Sequence, residues 1–531
     1  MRLGQTTVAS ALLIAALSLA SRILGLVRDR ILATTFGAGS VLDAYYAAFR
    51  IPDFAFNLLG LAALSAAFVP IFIRLRAGGR DRAHRFASQV FTNAAFLLLL
   101  CGSIGALAAT PLFAAIAPGF SSEQLALTVQ VGRILFIATA LLGLSSVIGS
   151  VLQAEERFFA FAAAPLLYNL GIIGGVLALA PMLGPVGIAW GVVLGAAAHL
   201  AMQWVAAART GLRVQWAPTW RDREVRLLFV NLLPRVASLG AQQVQLLIVA
   251  GIASTLAAGS LAVFTFAANI QHVPIALIGI AFAIAAFPRL SSAVAAGDIE
   301  QFRQYFSATF RQIALLALPA VVMLLALKAQ IVRVLLGAGA FGWEDTVRTL
   351  ETVEAFGVGL FFAMLIPLLT RAFYAFEDTR TPFVISVAAD VLGIAAAWFL
   401  GRTFGPQGLA LALALAGIVQ ALALLVALRR RAGGLDGRRT GIAIGKFLIA
   451  ALVMGVVIQV VKPSIAALVG TQTFIGIALQ GFLAGGLGFG AYLAVGILLK
   501  SDEITALALA LRRHALRAVP RAFGGADEAR G

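Results

Sequence analysis

Five polar side chains lie inside or beside the first two apolar segments of the chain. Asp43, Arg50 and Asn57 are spaced seven residues apart in one apolar stretch, and Arg22 and Arg28 precede them. Seven residues are close to two turns of helix, so the first three would form one polar stripe about 20 Å long. A charge at the centre of a bilayer costs about 3 kcal/mol or more. The stripe is therefore predicted to face protein or water rather than lipid.

The arginines at 22 and 28 indicate anion binding. A guanidinium stays charged and offers a fork of N–H donors that matches two oxygens of a phosphate. Arg22 and Arg28 point about 120° apart on a helix, so they line one cavity only if it is wide or if the helix bends at Gly25. The alternative is that the arginines pair with Asp29 or Asp43 to fix helix packing, or reach a membrane interface.

Polar residues recur in the later part of the chain. Thr265, Asn269 and His272 share a helix face, and Asp390 is a lone acid inside another apolar run. His272 could be a pH switch, or a simple hydrogen-bond donor beside Pro274. Asp390 could bind a coupling cation or proton, or could hydrogen-bond to a neighbouring helix. We therefore treat Asn269 and His272 as candidate binding residues and Asp390 as a candidate ion-coupling residue.

Several kinds of chemistry have no signal in the sequence. The segment from Gly441 to Phe447 lacks the spacing and the final residue of a phosphate-binding loop, so nucleotide hydrolysis is not indicated. The four histidines are scattered, and Cys101 is the one cysteine, so no metal-site spacing appears. We expect no catalytic residues, no metal and no cofactor, although transport could be coupled to membrane potential, H⁺ or Na⁺.

The composition places these residues in a membrane. Of 531 residues, 61% are hydrophobic and 12% are charged, whereas soluble domains carry about 25% charged residues. The net charge of +17 comes from arginine clusters between apolar segments, which is typical of topology signals rather than of nucleic-acid binding. The chain is predicted to be an all-helical, polytopic membrane protein with no nucleic-acid partner.

Apolar runs punctuated by glycine, proline and charge predict about fourteen membrane-spanning helices. The predicted spans are residues 5–27, 41–73, 87–112, 125–152, 160–180, 186–208, 228–256, 261–288, 308–334, 352–375, 383–401, 407–428, 443–461 and 474–499. If the N-terminus is cytoplasmic, the dense arginine clusters all fall on the cytoplasmic side. Both termini are therefore predicted to be cytoplasmic.

An internal repeat divides these spans. The segment from Gly184 to Ala189 recurs from Gly405 to Ala410, and Ala38–Ser40 recurs at Ala258–Ser260. The common offset predicts two parallel six-helix lobes and a C-terminal helix pair, unless short loops simply reuse similar turns. The predicted domains are an N-lobe at 1–215, a C-lobe at 216–435, the helix pair at 436–500 and a basic tail at 501–531.

The opening of the chain carries a motif pattern. Its parts are Ser21-Arg22-Ile23-Leu24-Gly25, Arg28-Asp29, Phe36-Gly37-Ala38-Gly39, Asp43-Ala44, Phe49-Arg50-Ile51-Pro52 and Ala67-Phe68-Val69-Pro70. This pattern resembles the signature of the MurJ/MviN family. These are bacterial lipid II flippases of the MATE-like multidrug/oligosaccharidyl-lipid/polysaccharide exporter superfamily. The likeness extends over most of the chain, including its fourteen-helix count.

The resemblance implies a function and a place for it. It implies alternating access in a bacterial inner membrane, a central cavity for the sugar and pyrophosphate of a lipid-linked glycan, and a groove of the last two helices for the polyprenyl tail. Arg22, Arg28 and Asp43 match family positions implicated in transport, and Arg50 matches a basic position. The expected partners are the lipid-linked substrate and membrane lipids, with the protein acting as a monomer.

The chain departs from the family pattern at positions that are basic in many members. It has Phe56 and Asn57 where many members carry two arginines, and Asn269 where a basic residue is expected. The predicted cavity is thus less positive, which leaves the exact substrate open. The alternatives are a related exporter of another lipid-linked oligosaccharide or of an amphiphilic compound, and a membrane enzyme acting on a lipid phosphate. The enzyme would need clustered acids, histidines or a metal site.

Overall fold

The computed structural model describes residues 2–59 and 64–518. Within these ranges it describes side chains except those of residues 2–12, 233–239, 241–242 and 511–518. The described residues are helical with short connections, and they contain no strand. The last part of the predicted basic tail, residues 519–531, lies outside them.

The α-helices follow one another along the chain in this order: α1 (Arg2–Phe36), α2 (Ser40–Leu58), α3 (Leu64–Ala77), α4 (Arg80–Leu107), α5 (Ala109–Ile116), α6 (Ser122–Ala154), α7 (Phe158–Gly174), α8 (Ala180–Leu183), α9 (Val186–Ala208), α10 (Arg223–Ser254), α11 (Ser260–Pro274), α12 (Ala281–Ala295), α13 (Ile299–Ala326), α14 (Lys328–Leu335), α15 (Trp343–Ala375), α16 (Arg380–Arg431), α17 (Gly437–Val469), α18 (Phe474–Leu498) and α19 (Asp502–Ala518). Two π-helical segments, Gly175–Leu179 and Ile275–Ile280, join α7 to α8 and α11 to α12.

Every predicted span coincides with one of these helices or with consecutive helices. Among the described residues, 10 helices are long and apolar enough to cross a membrane. One of them, α16, has 52 residues and a non-helical backbone at Gly405 (φ 63°, ψ −143°), so it contains two predicted spans. Three predicted spans are not among these 10 helices: α1, α2 with α3, and α10. Helices α1 and α2 contain the charged residues discussed above, α3 has 14 residues, and in α10 the described apolar stretch is Gln243–Ser254.

Polar caps explain where several helices begin. Ser121 Oγ accepts the N–H of Gln124 at the start of α6, at 3.2 Å. Asp222 Oδ1 accepts two N–H groups of α10, at 2.8 and 3.3 Å. Asp298 Oδ1 accepts one, the N–H of Gln301 in α13, at 2.8 Å. The first turn of a helix has N–H groups without internal partners, and these short side chains satisfy them.

The predicted repeat offset recurs in the backbone conformation. Gly184 and Gly405, 221 residues apart, have φ angles of 65° and 63°, and a proline follows each. Glu156 and Glu377, with the same spacing, both adopt a φ of 59°. Each ends its helix with the same pair of backbone bonds, in which the next residue donates to a carbonyl five residues back. Two different turns with one offset support the repeat inferred from the sequence.

The chain divides into two compact units. Unit 1 comprises residues 1–266, 335–348 and 394–409, and unit 2 comprises 267–334, 349–393 and 410–531. The unit 1 core stacks Phe68 on Phe72 and Phe86, with ring centroids 5.5 and 5.1 Å apart. The unit 2 core packs α13, α17 and α18, and the Tyr492 hydroxyl donates to the Leu315 carbonyl at 2.8 Å. The lobe boundaries at 215 and 435 remain a prediction from chain order.

Candidate functional site

A cavity of about 510 Å³ lies within unit 1 at Arg22. Arg22 is exposed although it is on the long apolar helix α1. The residues that line the cavity come from α1, α3, α6, α7 and α9, and they are Ile14, Ser18, Ser21, Arg22, Ser65, Ser145, Ser146, Gly149, Phe161, Ala162, Pro165, His199 and Gln203. Arg22 is the one charged side chain among them, provided that His199 is neutral. The geometry provides one cation surrounded by small hydroxyl groups.

A hydrogen-bonded cluster forms one wall of this cavity. Ser145 Oγ lies 2.7 Å from His199 Nδ1 and donates to Gln203 Oε1 at 2.8 Å. Because a hydroxyl carries one proton, donation to Gln203 makes His199 Nδ1 the donor to Ser145 Oγ. His199 is then a neutral imidazole whose Nε2 can accept a hydrogen bond. The cluster can therefore both accept from and donate to a polyhydroxylated ligand.

A second chain of polar contacts follows the same face of α6. Ser65 Oγ lies 2.9 Å from Ser150 Oγ, and Gln153 Nε2 donates to Ser65 Oγ at 2.9 Å. Ser150 Oγ in turn donates to the Ser146 carbonyl at 2.7 Å. The polar face of α6 thus extends from the cavity toward the C-terminal end of that helix.

The serine, histidine and glutamine residues of the lining were not predicted from the sequence, although it contains weak signals for them. Ser146 and Ser150 are four residues apart on α6, as are His199 and Gln203 on α9. Residues four apart share a helix face, so both pairs form small polar patches on otherwise apolar helices. Serines in apolar helices often satisfy themselves by bonding to their own backbone, so this spacing alone does not reveal a cavity.

Arg28 is held by partners on α1 and α7. Its Nε and Nη2 donate to Asp29 Oδ1 at 3.0 and 2.7 Å, and its Nη1 donates to Asn169 Oδ1 at 3.1 Å. Asn169 Nδ2 donates back to the Ser21 carbonyl at 3.5 Å. This geometry favours the alternative in which Arg28 fixes the packing of α1. Arg28 lies six residues after Arg22 on the same helix, and its side chain is 24% exposed.

The predicted stripe on α2 divides into separate sets of contacts. Arg50 is half-buried, and its Nε is buried with no hydrogen-bond partner among the described residues. Asn57 Nδ2 donates to the Asp53 carbonyl of its own helix at 2.8 Å. Arg50 can therefore still donate a hydrogen bond to a ligand from Nε. The Asn57 amide already donates one hydrogen bond to its own helix.

Asp43 binds the start of another helix. Its Oδ2 accepts the N–H of Gly259 at 2.6 Å, and its Oδ1 accepts the N–H of Ala262 at 2.8 Å. Asp43 is buried with 2% of its surface exposed, and it belongs to the first turn of α2. Gly259 has a φ of 84°, and a Cβ there would lie 1.7 Å from the Ala38 carbonyl oxygen. The carboxylate therefore joins the closely packed N-termini of α2 and α11.

The start of α15 takes part in the same junction. Asp345 Oδ2 accepts the N–H of Ala38 at 3.0 Å. Arg348 donates to the Ala258 carbonyl and to Ser260 Oγ, both at 3.0 Å. Three helix N-termini, each with a partial positive charge, thus meet around two carboxylates. We call this set of contacts, made by α2, α11 and α15 through Asp43 and Asp345, the N-terminal junction.

The remaining candidate residues belong to unit 2. Asn269 is half-buried and His272 is exposed, both on α11. Asp390 is half-buried on α16, one turn after Ser386, whose Oγ accepts from Gln420 Nε2 at 2.8 Å. The structure therefore gathers Arg22 and the α6–α9 cluster at one cavity, and it places Asp43 in the junction. Asn269, His272 and Asp390 are not part of that cavity within unit 1.

The described residues contain no group of three or more His, Cys, Asp or Glu side chains that could hold a metal ion. What the cavity offers is a fixed cation, hydroxyl groups and an imidazole. This set can bind an anionic group and hydroxyls by hydrogen bonds.

Comparison with known proteins identifies the family. The family model described as "Lipid II flippase MurJ" matches residues 32–479. A "Probable lipid II flippase MurJ" of Rhizobium meliloti (strain 1021) is 31% identical over 530 residues, which are 96% of this chain and 97% of that protein. A "Lipid II flippase MurJ" of Burkholderia cenocepacia is 28% identical over 434 residues, 79% of this chain and 83% of that one.

Solved structures agree on the fold. A lipid II flippase MurJ in an inward closed conformation superposes with a TM-score of 0.77 at 22% identity, covering 93% of this chain and 100% of that chain. An inward-facing MATE family multidrug transporter of the MOP superfamily has a TM-score of 0.66 at 17% identity, over 80% of this chain and 98% of that chain. The predicted all-helical, MATE-like fold is confirmed. Since the family model matches well over half of the chain, the protein is a multi-pass membrane protein that belongs to the MurJ family.

Proposed function

We propose that this protein moves lipid II, the polyprenyl-pyrophosphate-linked precursor of peptidoglycan, from the cytoplasmic to the outer leaflet by alternating access. The observation that carries the proposal is the cavity at Arg22. One guanidinium suits the pyrophosphate, and the surrounding serines, His199 and Gln203 suit the hydroxyl and amide groups of a glycan. The names of the family and of its relatives supply the substrate. Translocation needs no bond to be broken, so we propose that the protein acts as a transporter rather than as an enzyme. We also propose that it acts as a monomer.

The charge of the cavity argues against export of an amphiphilic cation. Such an exporter would place an unpaired acid centrally, whereas this cavity contains Arg22 and no carboxylate. A related exporter of another lipid-linked oligosaccharide fits the same lining. Complementation of a bacterial strain depleted of its own lipid II flippase distinguishes these two substrates, because growth of that strain requires translocation of lipid II. Failure to restore growth, with the protein inserted at normal levels, would reject lipid II as the substrate.

The polyprenyl tail is proposed to lie along α17 and α18. Large apolar side chains on these helices are exposed, among them Val460 at 68% and Phe482 at 81%. A Cβ at Gly486 or Gly490 would meet no atom within 4 Å. A tail of isoprene units needs an apolar surface of this kind and no polar partner.

The proposed topology places both termini in the cytoplasm of a bacterial inner membrane. Single cysteines at Gly78 and Gly437 are expected to be labelled only from the inside, and cysteines at Gly342 and Gln472 from the outside. All four positions are exposed, and a side chain fits at each of the three glycines. The measurement is membrane-impermeant maleimide labelling in a Cys101→Ser background. Labelling of Gly437→Cys from the outside would contradict the fourteen-span topology.

Asp390 is proposed to couple transport to an ion. Its carboxylate has no hydrogen bond or ion pair with the described residues, and it shares a helix face with Ser386. We expect Asp390→Asn to remove the dependence of flipping on an imposed proton or sodium gradient while lipid binding is kept, because the amide retains the size and loses the charge. Flipping is measured in proteoliposomes with each gradient imposed separately. Asp81→Asn, outside the spans, is the control, and unchanged ion dependence in Asp390→Asn would end the coupling hypothesis.

A further inference from the structure

A second polar cavity, of about 620 Å³, lies at one end of the helices of unit 1. It forms where α3, α6 and α9 end and where α4 and α7 begin. Its lining residues are Arg76, Arg80, Glu155, Glu156, Arg157, Arg209, Thr210 and Gly211. The volume falls in the range of small-molecule sites, about 300–1,000 Å³. We call it the arginine cavity, and none of its residues lines the cavity at Arg22.

Three of its four arginines form no ion pair within the described part of the chain, and its two acids, Glu155 and Glu156, leave the lining with a net charge of +2. Arg76 Nη1 pairs with Glu155 Oε2 at 3.0 Å, but Arg80, Arg157 and Arg209 form no ion pair with the described residues. Like charges gathered around one space repel each other, and the repulsion is relieved when an anion occupies that space. A guanidinium binds two oxygens of one phosphate, so several of them around one cavity match a phosphate group.

Glu155 adds a second requirement for the ligand. Its side chain is 5% exposed, and Oε1 is buried without a hydrogen-bond partner among the described residues. A buried acceptor that lacks a donor is unfavourable, and in most proteins a partner is found for it. A ligand hydroxyl that reaches between the arginines can donate to Oε1. The ligand should therefore carry hydroxyl groups next to its phosphate.

Aromatic residues near the cavity in the sequence agree with such a ligand. Exposed aromatic side chains occur close to its lining residues in the sequence: Phe159 is 57% exposed, Trp204 is 40%, and Trp216 and Trp220 are 69% and 47%. Tryptophan is enriched where a membrane protein crosses from hydrocarbon to head groups. Phe159 and Trp204 are within five positions of Arg157 and Arg209, so we infer that these arginines lie at the height of the head groups.

We propose that the arginine cavity binds a hydroxylated phosphate ester at the membrane boundary. Its phosphate would accept hydrogen bonds from Arg80, Arg157 and Arg209. Two sources share this chemistry: the glycerol phosphate head group of an anionic phospholipid, and the glycosyl pyrophosphate of the substrate before it enters the Arg22 cavity. The polar face of α6 leads from one cavity to the other, because Ser150 and Gln153 lie between their linings. Only the second source rests on the proposed function.

Topology alone also places arginines at this end of unit 1, so the test compares arginines inside and outside the cavity. Arg157→Gln/Arg209→Gln removes two charges from the cavity, and Arg82→Gln/Arg85→Gln removes two from exposed positions of the same side. Both pairs change the net charge equally and leave the Arg22 cavity intact. Binding to the purified full-length protein is measured with phosphatidylglycerol and, separately, with a water-soluble, short-chain lipid II analogue. Thermal stability of each variant is recorded alongside.

We expect the cavity pair to weaken binding of at least one of the two ligands about tenfold or more, because hydrogen bonds to charged groups are lost. The control pair should change binding less than about threefold. The ligand that responds identifies the source. Equal losses in the two pairs, or no loss in a stably folded cavity variant, would overturn the proposal whether or not the protein flips lipid II.

Glu155→Gln tests the hydroxyl requirement. Phosphatidylmethanol has the charge of phosphatidylglycerol but no head-group hydroxyl. The unmodified protein should prefer phosphatidylglycerol, and Glu155→Gln should reduce that preference, because an amide is the weaker acceptor. A preference that is absent from the start would overturn the role of Glu155 Oε1.

Discussion

Replacing Arg22 with alanine is expected to lower the rate of lipid II flipping about a hundredfold or more while the protein still folds and inserts. Arg22 is exposed in its cavity and has no ion pair there, so its loss removes little packing. A hydrogen bond to a charged group contributes about 1.5–3 kcal/mol, and a guanidinium can give two to one phosphate. Two such bonds correspond to a hundredfold or more in affinity. The measurement is transfer of fluorescent lipid II across proteoliposomes, with binding measured on the same variant.

The companion variants separate charge from geometry. Arg22→Lys keeps the charge but not the fork, so it should also impair flipping, although less than alanine. Arg50→Ala should reduce flipping as well, because its buried Nε has no partner of its own among the described residues. Arg85→Ala removes an exposed arginine outside the cavity and should leave the rate unchanged. Normal flipping by both Arg22→Ala and Arg50→Ala would refute the role of these arginines.

Much of the fold could be predicted because its signals are local. The length of an apolar run, the turn residues and the arginine clusters are each read within a few tens of residues. The kink at Gly405 and the turn at Gly184 were marked by the same Gly-Pro pair in the sequence. Even so, α2 ends at Leu58, inside the predicted span 41–73. Apolar content does not change at that residue.

The site could be predicted only in part, because the residues that contact each other in it are far apart in the sequence. Nothing near Asp43 shows that its carboxylate binds the N–H groups of Gly259 and Ala262, since this contact depends on how α2 and α11 pack. The Ser145, His199 and Gln203 cluster depends in the same way on α6 and α9. Arg22 was found because an intramembrane charge is rare in itself. A lone charge can be recognised from the sequence of one helix. A hydrogen-bonded cluster can be recognised only when the packing of two helices is known.

The Asp43 contact has a specific electrostatic basis. The N-termini of α2, α11 and α15 each carry a partial positive charge of about half an elementary charge, and they would repel each other at close range. Asp43 lies between two of them and accepts the N–H of Gly259, just before α11, and that of Ala262 in its first turn, at 2.6 and 2.8 Å. Neutral residues cannot offset this repulsion. The N-terminal junction should therefore open when the carboxylate is removed, even though the apolar packing around it is unchanged.

Asp43→Ala is expected to speed hydrogen exchange of the Gly259 and Ala262 amides by about tenfold or more, because two charge-assisted bonds are lost. Asp43→Asn should have an intermediate effect, since the amide oxygen accepts one bond without the charge. Asp53→Ala removes an exposed acid from the same helix and is the matched control, with no change expected at either amide. The measurement is hydrogen–deuterium exchange by mass spectrometry on the detergent-solubilised protein.

The same variants show whether opening of the junction belongs to transport. Alternating access requires that contacts on one side of the membrane break and re-form. If the junction is such a contact, Asp43→Ala should lower flipping sharply, and Asp43→Asn should lower it in proportion to its exchange rate. Gly259→Ala, whose Cβ would meet the Ala38 carbonyl oxygen, should give the same result by forcing the helices apart. Fast exchange at Gly259 and Ala262 combined with normal flipping would show that the contact only stabilises the fold, and slow exchange in Asp43→Ala would refute the capping role itself.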